Sequence, residues 1–169
     1  MFKTLNLKKL ILSFLIPFGV AFLSEILTKN AMEEYANLAS PPLSPPGVVF
    51  PIVWAVLYFL MSLSLYGIAN STAPQPKKSL CYLIFGLQLF FNFAWTILFF
   101  VFGLHTFSAV WLTILIALII LNILAFYRIS KASAYMLIPY LLWCIFALYL
   151  NIGIAILNWC NICLLYTSP

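Results

Sequence analysis

Apolar residues run along the chain in five long blocks, at about 9–28, 48–69, 79–103, 106–127 and 133–160. A hydrocarbon core of ~30 Å takes about 20 residues of α-helix, so each block predicts a membrane-crossing helix. The second, third and fourth blocks contain no charged residue. The alternation of barrel strands is absent, which leaves helices as the way to span lipid with every backbone group satisfied. The expected fold is therefore all-α: a polytopic, five-transmembrane-helix bundle forming a single membrane domain over residues 1–169. Lys3, Lys8 and Lys9 ahead of the first block resemble the start of a secretory signal. That block lacks an A-x-A-like cleavage site and is long for a signal's apolar core, so it is read as a span.

Polar and aromatic positions inside the blocks fall at helical spacing. Trp54, Tyr58, Met61 and Leu65 share one face of the second helix, and Gln88, Asn92, Trp95 and Phe99 one face of the third. Trp143, Ala147, Asn151, Ile154 and Asn158 do the same in the fifth. Such stripes are expected to turn away from lipid and toward one another. Two readings of the amides stay open: hydrogen-bonding glue between helices, or the wall of a pocket. Trp111 and Trp159 suit an interfacial belt, Trp143 lies too deep for one, and Trp95 fits either reading. Pro17 and Pro139 are expected to interrupt the first and fifth spans. Glu25, near the end of the first span, is read as snorkelling to the surface.

The gaps sort by charge. Lys3, Lys8, Lys9, Lys77, Lys78, Arg128 and Lys131 all fall on one side, and only Lys29 on the other. Positive residues favour the cytoplasm, so the N-terminus is expected there, the C-terminus outside, and the plasma membrane of a bacterium is the best match. The long gap 29–47 then lies outside. Its "SPPLSPP" (40–46) favours stiff, extended polyproline geometry, suited to a lid formed by Pro41, Pro45 and Pro46.

Composition narrows the chemistry. Hydrophobic residues make up 66% of the 169 positions and charged ones 7%, where soluble domains carry roughly 25%. The net charge of +5 comes from residues in short gaps between spans, a topology signal that argues against a nucleic-acid partner. Cys81 and Cys144 read as small packed hydrophobes, and the lone Cys160-x-x-Cys163 lacks the four ligands of a zinc site. His105 reads as a turn residue. With no carboxylate pair, Ser/His/Asp set or phosphate loop, neither a metal nor an obligatory cofactor is expected.

The run Tyr35–Met61, "YANLASPPLSPPGVVFPIVWAVLYFLM", resembles the signature of the TspO/MBR family of tryptophan-rich sensory and translocator (peripheral benzodiazepine receptor) proteins. Tyr35, Leu38, Pro41, Pro45, Pro46, Trp54, Leu57, Tyr58 and Met61 match it without a gap. "QLFFNFAWTILFF" (88–100) and "PYLLWCIFALYLN" (139–151) are similar to its third- and fifth-helix motifs. The resemblance implies a homodimeric bundle of TspO/MBR type whose pocket opens toward the first loop and takes tetrapyrroles such as protoporphyrin IX and haem, sterols or benzodiazepine-like molecules. It places Tyr35, Trp54, Asn92, Trp143 and Ala147 at that pocket. With the stripes and their neighbours, the candidate ligand-binding set is Tyr35, Trp54, Tyr58, Gln88, Asn92, Trp95, Trp143, Phe146, Ala147 and Asn151. Trp54 and Trp143 are the candidate catalytic residues if the family's light-dependent porphyrin breakdown occurs here; a porphyrin or sterol transporter is the further alternative. Glu34, Ser40 and Val48 stand where the family has Trp, Lys and Trp, which removes two aromatic lid contacts and a cation.

Overall fold

The computed structural model describes residues 5–29 and 38–166, the side chains only as far as Asn158. Helices α1 (Leu7–Thr28), α2 (Val49–Ala69), α3 (Gln75–Thr96), α4 (His105–Tyr127), the short α5 (Lys131–Tyr135) and α6 (Ile138–Tyr166) follow in chain order, with no strand among the described residues. Five segments are long and apolar enough to cross a membrane: Leu7–Thr28, Val49–Ala69, Gln75–Val101, His105–Tyr127 and Lys131–Asn158. The chain is an integral, multi-pass, all-helical bundle, as its apolar blocks require.

The boundaries differ from the blocks where local chemistry intervenes. α3 starts at Gln75 because Pro76 sits in its first turn, where a missing N–H costs nothing. That start draws Lys78 into the protein: it is buried, and its ammonium donates to the carbonyls of Ser71 (2.6 Å) and Ala69 (3.5 Å). A cation thus sits over the C-terminal carbonyls of α2, where the helix dipole favours it. α3 then runs without a break into a π-helical turn, Ile97–Val101. The fifth span is two helices. Ser130 caps α5 through the Ser133 N–H, and Pro139 falls in the first turn of α6, so it opens that helix instead of interrupting it. Pro17 is buried within α1, which continues through it.

Around the bundle α1 packs against α2 and α3, α3 against α4, and α4 against α6. The ring closes where α6 meets α2 through the Phe50–Trp143 and Trp54–Tyr140 ring contacts. Lipid offers no hydrophobic gain for burying Leu on Leu, so such contacts hold the bundle by close packing and hydrogen bonds. One end carries Lys29 and Gly103 (the loop end); the other carries Lys8, Lys9, Lys77, Arg128 and Lys131 (the basic end).

The proline-rich segment is not one straight polyproline stretch. Ser44 donates to the Pro41 carbonyl from both its N–H (3.3 Å) and its hydroxyl (2.8 Å), closing a turn that puts Leu43 at φ 69°. An L-residue in that left-handed region costs roughly 1 kcal/mol. Three contacts with α6 hold the turn in place. Asn158 pairs both amide atoms with the Ala39 backbone (3.2 and 3.0 Å), Tyr149 donates to the Pro42 carbonyl (2.8 Å), and the buried Pro41 ring lies on Gly153. A Cβ at Gly153 would stand 2.6 Å from Pro41 Cγ, so only glycine admits the ring there.

Candidate functional site

A cavity of about 400 Å³ lies in the loop half of the bundle, between α1, α2 and the end of α3. That volume is in the range of small-molecule sites, ~300–1,000 Å³. α2 contributes Phe50, Trp54 and Tyr58, one turn apart on its inward face. α3 and its π-turn contribute Trp95, Thr96 and Phe100. The rings are contiguous: Trp54 lies 5.7 Å from Tyr58, 6.4 Å from Trp95 and 6.2 Å from Tyr140, centroid to centroid.

Behind this aromatic wall the polar groups are paired with one another. Tyr58 donates to Asn92 Oδ1 (2.7 Å), and Asn92 Nδ2 donates to the Tyr140 hydroxyl (3.1 Å), joining α2, α3 and α6. Asn151 Oδ1 accepts from Trp95 Nε1 (3.2 Å) and Ser108 Oγ (3.1 Å), while its Nδ2 donates to the His105 carbonyl (2.7 Å). The amides at 92 and 151 therefore brace the pocket wall from behind. His105 opens α4, its ring 4.9 Å from that of Phe99. Trp111 donates to the Phe91 carbonyl (2.9 Å).

Of the candidate ligand-binding residues, Trp54, Tyr58 and Trp95 line the cavity. Asn92, Asn151 and Ala147 are buried outside its lining. Gln88 is fully buried, and neither of its amide atoms has a partner. Trp143 is half-buried with its ring edge-on to Phe50 (5.9 Å) and 5.5 Å from Phe146, which places Trp143 one ring and Phe146 two rings away from the cavity; the buried Nε1 of Trp143 has no acceptor. Tyr35 lies outside the described residues, as do the side chains of Trp159, Cys160 and Cys163. Pro41 rests on α6, the Pro46 carbonyl accepts from the Val49 N–H at the start of α2 (2.9 Å), and none of Pro41, Pro45 and Pro46 lines the cavity. Cys81 and Cys144 are buried thiols, and no group of three or more potential metal ligands occurs among the described residues.

Sequence reasoning missed the α1 wall. Phe18, Ala21, Phe22, Ser24, Glu25, Thr28 and Lys29 all line the cavity. A signal was present, because the small residues Ser13, Pro17, Ala21, Ser24 and Thr28 recur at helical spacing in an otherwise bulky block. Small residues mark the face where helices approach closely.

Comparison with known proteins agrees with this architecture: residues 13–157 match the TspO/MBR family. The chain belongs to that family. It is 36% identical over 163 residues to the "Tryptophan-rich protein TspO" of Archaeoglobus fulgidus, covering 91% of this chain and 99% of that protein. To the protein of the same name from Chlorobaculum tepidum it is 33% identical over 141 residues, 83% and 89% of the two chains. The "Translocator protein" of Bos taurus is 30% identical over 139 residues, 81% and 82%. Among TspO/MBR proteins, then, this chain combines a proline-rich turn docked on α6 with an aromatic cavity bounded by α1.

Proposed function

We propose that this protein is a membrane-embedded receptor for flat, aromatic, largely hydrophobic molecules of the tetrapyrrole class, protoporphyrin IX being the probe of choice. One observation carries the reading: Trp54, Tyr58 and Trp95 form a contiguous aromatic wall on a cavity of about 400 Å³, within a family whose members are named as sensory and translocator proteins. Stacking gains from ring area while demanding little of hydrogen-bond geometry, which suits a macrocycle. The charge bias of the gaps supports a loop end outside, a cytoplasmic N-terminus and a bacterial plasma membrane as the location. Homodimer formation is carried over from the family resemblance alone.

A second reading, light-driven porphyrin breakdown, is favoured by the unbroken run of oxidisable rings Trp54, Tyr58, Trp95 and Tyr140. In this reading the excited porphyrin takes an electron from Trp54 and passes it to dissolved oxygen, giving superoxide; the Trp54 radical cation then recovers an electron from the ground-state macrocycle, so that the porphyrin is the net one-electron donor and oxygen the acceptor. The test is a titration of protoporphyrin IX into the detergent-purified protein in the dark, followed by Trp fluorescence. Saturable quenching, weakened about tenfold by Trp54→Phe, supports the receptor; absence of saturable quenching overturns it. Bleaching of bound porphyrin under illumination, slowed in Trp54→Phe, would move the second reading ahead.

A further inference from the structure

Cations at the basic end fall into two groups. Lys78 is committed inside the protein, its ammonium on the carbonyls of Ser71 and Ala69. Lys8, Lys9, Lys77, Arg128 and Lys131 make no ion pair among the described residues. From Tyr35 to Pro169 the sequence holds neither Asp nor Glu to supply one. Charges that the protein leaves unpaired take their counterions from the surroundings.

The corner between α4 and α5 carries two of these cations close together. α4 runs for 23 residues, about 35 Å at 1.5 Å per residue, enough to cross a hydrocarbon core of ~30 Å. Arg128 and Lys131, which follow it directly, therefore emerge at the level of the lipid phosphates. The end of α4 is closed by its own backbone, since the N–H groups of Ile129 (2.9 Å) and Ser130 (2.7 Å) donate to the Phe126 carbonyl. Arg128, unlike Lys78, is thus not needed as a cap; it is exposed and its guanidinium makes no hydrogen bond among the described residues. Lys131 holds its ammonium 5.6 Å from the centre of the Tyr127 ring, and that ring meets Tyr135 edge-on at 6.1 Å. Both tyrosines are exposed, at 43% and 56%. Tyr is at home at headgroup depth, and here two of them form an apolar shelf beneath a cation.

We propose that the α4–α5 corner is a binding site for an anionic phospholipid: Arg128 and Lys131 hold the headgroup phosphate, and Tyr127 and Tyr135 pack against the glycerol and the upper acyl chain. A guanidinium offers paired N–H donors that match phosphate oxygens, and the ammonium adds a second charge. A zwitterionic headgroup presents the same phosphate, but its own cation competes for it. Phosphatidylglycerol carries no such cation and is the probe of choice. The site is independent of what the cavity binds.

The experiment titrates the full-length protein in detergent with phosphatidylglycerol and, separately, with phosphatidylcholine of the same acyl chains, and counts bound lipids by native mass spectrometry. Phosphatidylglycerol is expected to bind about fivefold or more tightly, since one basic residue near an anionic headgroup contributes roughly that factor. Arg128→Gln combined with Lys131→Gln should erase the preference. Both positions are exposed, so this variant should melt in lipid-free detergent as the wild type does. Lys8→Gln combined with Lys9→Gln removes the same charge from α1 and should change the preference by less than about twofold. Equal losses in the two variants would make the effect diffuse electrostatics and overturn the site. A wild type without the preference, or a preference that survives loss of Arg128 and Lys131, overturns it as well. Displacement of the lipid by millimolar inorganic phosphate would assign the corner to a free anion and sink the lipid proposal.

Discussion

The two sides of the cavity are built on opposite plans. Behind Trp54 and Trp95 the side chains of α2, α3, α4 and α6 are tied together: Tyr58, Asn92, Tyr140, Trp95, Asn151 and Ser108 bond one another across three interfaces, while Gln88 and the Trp143 N–H stay unpaired. The α1 wall is open, with Ser24 Oγ unpartnered and Glu25 exposed. Burial follows the same division, since 17% of the most apolar stretch of α1 is buried against 44% for α2. α1 is tied to α2 by the Asn6 N–H, which donates to the Tyr66 hydroxyl (3.2 Å), whereas the opposite wall carries four side-chain bonds between helices. Bonded aromatic platform and open polar rim are thus assigned to different helices. Affinity for the ring system and discrimination among polar groups can consequently change independently.

This contrast can be broken most severely from behind the platform. Asn151→Ala removes three interhelical bonds and leaves the Trp95 N–H unpaired in an apolar interior, Ser108 keeping the His105 carbonyl as its acceptor (2.9 Å). A loss of about 2–3 kcal/mol is expected, at ~1 kcal/mol or less per bond. A thermal melt in detergent should then fall by roughly 5–10 °C. Gly153→Ala acts on the docked turn instead. The new methyl must displace the Pro41 ring, at about 1–2 kcal/mol by analogy with overpacked cores. Limited proteolysis should cut at residues 38–46 faster than in the wild type, while the melting temperature moves less than for Asn151→Ala. Ser24→Ala is the mildest: with no bond to lose, stability should stay within about 0.5 kcal/mol. Its effect belongs in binding, as a roughly two- to threefold weakening of protoporphyrin IX in the quenching titration, since Ser24 lines the cavity. A large fall in melting temperature for Ser24→Ala would mean that the α1 wall is closed like its partner.

The platform was legible in the sequence and the rim was not, for a physical reason. Trp54, Tyr58, Asn92, Trp95 and Asn151 are rare residue types inside apolar blocks, so their helical spacing stands out and fixes which face turns inward. Ser24, Glu25 and Thr28 lie near a helix end, where polar residues are ordinary and snorkelling explains them without a cavity. The spans were readable because length and hydropathy alone set them. Their ends were not: Lys78 reads as a solvated charge until the carbonyls of Ala69 and Ser71 are seen beneath it. Nor does any propensity mark Ile97–Val101 as a π-turn or Pro41–Ser44 as a turn around Leu43. Both are imposed by what they pack against.

A π-turn is an α-helix carrying one surplus residue. In a regular helix, residues five apart point about 140° away from each other, so Trp95 and Phe100 could not both face the cavity. Wider winding through Ile97–Val101 brings them to the same side. The length of the coding sequence is therefore part of the binding surface: loss of one codon among 97–99 would leave Phe100 four residues after Trp95, on the same side of a regular helix, whereas one inserted codon would turn it away from the cavity. Substitutions can tune this pocket residue by residue, but an insertion there would redraw it at once.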